Sequence, residues 1–274
     1  MFNFTHKTPI KLSSEPQIMA ILNLTPDSFF AQSRLDNIQS ILDKTALFIK
    51  EGASIIDIGG QSTRPGATMI SVEEEIDRIV PAIKAISTTY PTIAVSVDTF
   101  QSKVAEAALE AGASIINDIS CGTFDPAILD IVAKYQSGYI GMHITGNKES
   151  MHIIPERINI ITDLITFFIQ KKEQLSKLGI NNWVIDPGFG FGKSIQENFI
   201  LIKELKQLEI IGLPILVGVS RKSSIYKTLD ITADEALNGT TVVNSIALLN
   251  GAAILRVHDV KEAKQAIKLM SYLK

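Results

Sequence analysis

The chain has 274 residues, 46% of them hydrophobic and 20% charged, which fits a globular fold with a large core and excludes a disordered chain. A formal net charge of −3 provides no global field that would draw it to nucleic acid, and no apolar run reaches the ~20 residues of a bilayer span. The single cysteine, Cys121, cannot pair within the chain, and residues 1–17 hold no signal-peptide core, so the expectation is a cytoplasmic protein without nucleic-acid or membrane partners.

Short runs rich in Ile, Val, Leu and Ala alternate with longer amphipathic segments. In chain order the runs are Ile18–Leu24, Ser54–Ile58, Ile93–Val97, Ser114–Ile119, Tyr139–Ile144, Asn182–Ile185, Pro214–Val219 and Ala252–Val257. Their near-continuous apolarity is the pattern of parallel strands covered on both faces. The segments between and after them predict helices over Asn37–Glu51, Val72–Thr88, Ser102–Ala111, Pro126–Lys134, Glu156–Leu178, Ile195–Leu208, Ala233–Leu249 and Lys261–Leu273. Gly52, Gly112, Gly179 and Gly251 stand where helix C-caps are expected. Eight strand–helix units with no linker predict a (β/α)8 TIM barrel over 18–274, with 1–17 as an N-terminal extension.

Barrel enzymes build their sites at the C-terminal ends of the strands. Those ends carry Asn23, Asp57, Asp98 with Thr99, Asn117 with Asp118, His143, Asp186, Ser220-Arg221-Lys222, and Arg256 with His258. Any one of these could cap the following helix. A polar group on all eight ends points instead to a ligand at one rim.

The segment Asp186-Pro-Gly-Phe-Gly-Phe-Gly-Lys-Ser194 resembles a phosphate loop, but Pro187 stands where that motif requires glycine. Two readings remain. Either it is a flexible connection with Lys193 in solvent, or Asp186 enters the site and Phe191 offers an apolar face to a flat ligand. Arg221, Lys222, Arg256 and His258, on the loops where barrels often bind phosphate, read as a cationic corner. The loop Asn23-Leu-Thr-Pro-Asp-Ser28 is dense in oxygen ligands, and Gln61-Ser-Thr-Arg-Pro-Gly66 has the composition of a closing lid. His6 and His152 read as surface residues.

These segments, ILNLTPDSF (21–29), DIGGQSTRPGA (57–67), SVDTF (96–100), IINDIS (115–120), MHITG (142–146), DPGFGFGKS (186–194), LVGVSRKS (216–223) and RVHDV (256–260), resemble the dihydropteroate synthases in order and spacing. The resemblance covers Ile18 to the C-terminus. It implies a transferase of folate biosynthesis that joins 6-hydroxymethyl-7,8-dihydropterin diphosphate to para-aminobenzoate and releases pyrophosphate. It further implies a homodimeric TIM barrel, a Mg²⁺ cofactor and sensitivity to sulfonamides.

By motif, the resemblance assigns Asp98, Asn117, Asp186 and Lys222 to the pterin ring and Asn23 to the metal. Thr63, Arg64, Arg256 and His258 would hold the diphosphate, while Ser220, Phe191 and Thr63 to Pro65 would shape the para-aminobenzoate site. Asp98, Asp186, Lys222 and Arg256 would carry the catalysis. The chain departs from the family where Phe30-Ala-Gln-Ser33 replaces the usual Ser-Asp-Gly-Gly, and where Gln61 replaces a common glutamate. The altered first loop motivates the alternative of a pterin-binding but inactive paralogue.

Overall fold

The computed structural model describes residues 2–4, 10–12, 15–24, 34–61, 68–151 and 153–273. A small antiparallel hairpin pairs β1 (Phe2–Phe4) with β2 (Ile10–Leu12), ahead of the barrel. Eight parallel strands then close on themselves: β3 (Gln17–Asn23), β4 (Ile55–Gly59), β5 (Ala94–Asp98), β6 (Ile115–Asp118), β7 (Gly138–Met142), β8 (Val184–Asp186), β9 (Ile215–Val217) and β10 (Ala252–Val257). Strand β10 pairs with β3, which completes the ring and leaves no edge strand in the barrel.

Helices occupy the outside: α1 (Arg34–Glu51), α2 (Val72–Thr89), α3 (Ser102–Ala111), α4 (Ala127–Tyr135), α5 (Ile160–Lys177), α6 (Ile195–Lys203), α7 (Ser223–Thr228), α8 (Leu237–Leu249) and α9 (Val260–Met270). The fold is the expected (β/α)8 barrel. Local chemistry sets several boundaries. Ser71 caps α2 by accepting the Glu74 N–H, and Ser194 with Glu197 forms a reciprocal capping box on α6. Gly112 ends α3 at a φ of 125°, a conformation that a Cβ would strain.

Three segments differ from the periodicity, and one of them, the helix expected over 233–249, starts only at Leu237. The single helix expected over 195–208 is α6 followed by a 3₁₀ helix, Leu205–Ile211. Its buried residues Leu205, Leu208 and Ile211 recur every third position, which is the 3₁₀ period and not the α period. The segment expected to be helical from Glu156 starts only at Ile160, because Asn159 takes an extended conformation and caps the first turn with its side chain.

Alternation along the strands sorts the core into two parts. Outward residues such as Ala20, Ile56, Val95, Ile116 and Ile185 pack under the helices in one large cluster. Inward residues form a separate floor, with one from each strand: Met19, Ile55, Ala94, Ile115, Ile140, Val184, Leu216 and Ile254. Two residues further along the same inward face lie Asp57, Ser96, Asn117, Asp186 and Arg256, followed by Asp98. On five of the eight strands the barrel interior therefore changes from apolar to polar within two residues, while β3, β7 and β9 carry Ile21, Met142 and Gly218 at that level.

Candidate active site

That change of polarity sits at the C-terminal mouth, where β4, β5, β6 and β10 supply one connected ionic network. Arg256 Nε donates to Asp57 Oδ2 at 2.7 Å, and Arg256 Nη2 donates to Asp98 Oδ2 at 2.6 Å. Asn117 Nδ2 donates to the same Asp57 oxygen at 3.1 Å, so Asp57 orients both neighbours. Asp57 is fully buried, and its Oδ1 has no hydrogen-bond partner. Burial raises Asp98 to about 7; Arg256 opposes that shift while Asp57 adds to it. Burial lowers the Arg256 affinity for its proton, but Asp57 and Asp98 outweigh it, and the net shift is upward.

Strand β8 ends in Asp186, whose Oδ1 accepts the Gly188 N–H at 2.7 Å. Burial raises Asp186 above the usual carboxylate range, against the pull of Lys222. Burial lowers Lys222 to about 8, with Asp186 opposing. Lys222 donates to the Phe189 carbonyl, and its Nζ lies 4.6 Å from the centre of the Phe191 ring. A carboxylate, an ammonium and an aromatic face thus adjoin on one side of the mouth.

At the β9 and β10 ends, Ser220 Oγ lies 3.0 Å from His258 Nδ1 and accepts the His258 backbone N–H at 3.2 Å. Burial and the nearby Arg256 lower His258 to about 4, so its ring is neutral at ordinary pH. The four groups grouped from sequence as a cationic corner divide in the fold. Arg221 turns away and binds Asp259 through Nε at 3.0 Å and Nη2 at 2.9 Å. Arg256 is matched by two carboxylates.

Two strand-end residues also leave the rim. Asp118 faces outward, where it accepts from Ser120, Gly122 and the Tyr139 hydroxyl and so holds the turn after β6. His143 packs edge-on to Phe167 at 4.9 Å and meets Lys193. Asn23 is half-buried at the end of β3, and its Oδ1 would lie 3.3 Å from a Cβ placed on Gly59. Gln61 bridges Thr68 and Ile70 at the base of the second loop. Thr63, Arg64, Pro65, the Phe30–Ser33 substitutions, His6 and His152 lie outside the described residues.

The sequence reading missed three groups beside this mouth. Lys193 is only 6% exposed, which removes the solvent reading. Burial lowers it to about 7, with Arg157 adding to the shift. Asn198 is buried and bonds Gly190 N–H, Lys193 O, Ser194 O and Ser224 Oγ. Glu75, at the start of α2, is buried against Gln101 at 2.6 Å. Helical spacing carried no sign of Glu75, because it sits among three consecutive glutamates that read as a solvated first turn.

The family model described as "Pterin binding enzyme" matches residues 19–258. The dihydropteroate synthase of Escherichia coli (strain K12) is 38% identical over 269 residues, 97% of this chain and 94% of that protein. The chain belongs to the dihydropteroate synthase family. It is also similar to the folic acid synthesis protein fol1 of Pneumocystis carinii, at 42% identity over 92% of this chain, and it spans 35% of that longer protein. A crystal structure of the Yersinia pestis dihydropteroate synthase with a sulfonamide drug complex superposes with a TM-score of 0.91 at 37% identity, covering 99% of this chain and 98% of that one. Among the described residues no helix is long and apolar enough to cross a membrane.

Proposed function

We propose that the chain joins 6-hydroxymethyl-7,8-dihydropterin diphosphate to para-aminobenzoate, giving 7,8-dihydropteroate and pyrophosphate. The observation that carries this reading is the placing of Asp98, Asn117, Asp186 and Lys222 around one mouth, above an apolar floor. A pterin presents a 2-amino-4-oxo-pyrimidine edge with donors beside acceptors. Carboxylates accept its N–H groups, Asn117 can do both, and Lys222 can donate to a ring oxygen or nitrogen. A ring lacking that edge would leave buried polar groups unpaired, and so be rejected.

In the reaction the methylene–oxygen bond breaks, and the diphosphate leaves with the electron pair. The aromatic amine nitrogen forms the new carbon–nitrogen bond and gives up its proton. Positive charge grows on the methylene carbon, in conjugation with the ring, so Asp98 and Asp186 stand where anionic charge favours the transition state. Thr63, Arg64, Arg256 and His258 are assigned to the diphosphate, and Ser220 and Phe191 to the aromatic amine. No serine or cysteine nucleophile is needed. Cys121 is buried, and burial raises its thiol, which keeps it protonated.

Magnesium is proposed at Asn23. Among the described residues no group of three or more His, Cys, Asp or Glu side chains could hold a metal ion. One neutral amide oxygen, left open by the missing side chain of Gly59, fits an ion that keeps its waters and arrives with a diphosphate. Such an ion would supply charge neutralisation on the leaving group. Calorimetry with Mg²⁺ alone and with Mg²⁺ plus pyrophosphate tests this, since binding is expected only in the second case.

A cytoplasmic homodimer completes the reading. The absence of a membrane-crossing helix among the described residues supports the first part, and a sedimentation mass tests the second. The decisive assay supplies purified protein with Mg²⁺ and both substrates and measures pyrophosphate. Release supports the transferase. Normal binding of both substrates without release would make the chain a pterin-binding protein instead.

A further inference from the structure

The glycine-rich segment after β8 has the opposite polarity to a phosphate cradle, which turns its N–H groups toward the ligand. Here the amides are already used. Gly188 N–H donates to Asp186 at 2.7 Å, Gly190 N–H to Asn198 at 2.6 Å, and Phe191 N–H to the Gly188 carbonyl at 3.1 Å. The carbonyls meet cations. Lys193 Nζ donates to Gly188 O at 2.9 Å and Phe191 O at 3.1 Å, Arg157 Nη2 donates to Gly192 O at 2.7 Å, and Lys222 takes Phe189 O. Four carbonyls of five successive residues are thus held by three cationic side chains.

Lys193 is the centre of this arrangement. Its third contact is His143 Nδ1 at 3.2 Å, so three acceptors match the three protons of an ammonium. With Nδ1 accepting, the ring proton of His143 sits on Nε2. His143 cannot drift away, because it is buried against Phe167 and Phe168 at 4.9 and 6.4 Å. The turn itself tolerates little change, since a Cβ on Gly188 would come within 2.3 Å of the His143 carbonyl oxygen.

We infer that Lys193, locked by His143, is a positioning residue that fixes the Gly188–Phe191 turn so that the Phe189 carbonyl and the Phe191 ring hold Lys222 at the ring pocket. The inference rests on the pterin-transfer reading given above. Lys193 acts through Lys222 and Phe191, and its removal takes the donor from the Phe191 carbonyl and leaves the Gly188 carbonyl with only the Phe191 N–H.

The test compares Lys193→Met, His143→Asn and His143→Leu with the unaltered protein. Asparagine places an acceptor oxygen near the position of Nδ1, and leucine offers none. Calorimetry measures the affinity for a 6-hydroxymethylpterin, and steady-state kinetics separate KM for the aromatic amine from kcat, both well below the melting temperature. Lys193→Met and His143→Leu are expected to weaken ring binding by about tenfold or more and to raise that KM, while His143→Asn stays within about threefold of the unaltered protein. Unchanged ring affinity in Lys193→Met overturns the inference, as does equal loss in both histidine variants. A lysine needed only for stability would lower Tm and leave the constants of the folded fraction unmoved, which also overturns it. If Lys193→Met does not fold, the histidine pair reads the same contact. If the unaltered protein fails to bind the ring, the pterin reading itself falls, and that outcome is visible before any variant is compared.

Discussion

Arg256 donates from Nε to Asp57 Oδ2 at 2.7 Å, although 199 residues separate them in sequence and β3 lies between their strands. Asp57 has no outlet to solvent, and Arg256 and Asn117 are its side-chain partners. Asp57→Asn keeps the shape and removes the charge. It is expected to lower stability by about 1–3 kcal/mol, as for loss of a hydrogen bond to a charged group, and to loosen Arg256. Urea unfolding measures the first effect. A midpoint equal to that of the unaltered protein would show that the contact between Asp57 and Arg256 adds nothing to stability.

Asp98 gives a pH dependence whose sign follows from its burial. Its folded value is raised from 3.8 to about 7, so between those limits the folded protein holds more of this proton than the unfolded chain does. That contribution to stability is fully present below the unfolded value and is lost as pH rises through 7. Asp98→Asn removes this loss. Melting temperatures measured from pH 4 to pH 8 should therefore fall less steeply in the variant, and parallel curves would place the titration elsewhere.

Lys222→Ala tests the ring pocket directly. The side chain is half-buried, donates to the Phe189 carbonyl, feels the charge of Asp186, and makes no capping bond to the helix that follows it. Its removal should weaken pterin binding by about tenfold to a hundredfold while the fold remains intact. Titration calorimetry reads the affinity and circular dichroism the fold. Unchanged affinity would refute the role.

Tyr139→Phe separates the inward from the outward carboxylates. It deletes one donor to Asp118, at 2.9 Å, and touches nothing in the mouth. The expected loss is about 1–2 kcal/mol of stability with ring affinity unchanged, because Ser120 and Gly122 still donate to Asp118. A matching loss of ring binding would show that the turn after β6 reaches the pocket.

The sequence by itself determined the alternation of eight buried strands with amphipathic helices, and hence the barrel. Each strand is covered on both faces, and continuous apolar runs record that locally. The motifs also identified Asp98, Asn117, Asp186, Lys222 and Arg256 as residues of one rim. Only the tertiary structure decided which strand-end groups turn inward. Asn117 and Asp118 are adjacent, yet the alternation of a strand sends one to the mouth and the other to Tyr139. Only the fold paired Arg256 with Asp57 and Asp98, since closing the ring brings β10 near β4 and β5. It also buried Lys193, a residue that looks solvated in a glycine-rich string, because carbonyls of its own loop and a histidine 50 residues earlier surround it. Local spacing encodes which face a segment buries. The partners of a buried charge are set by chain closure, which no local pattern records.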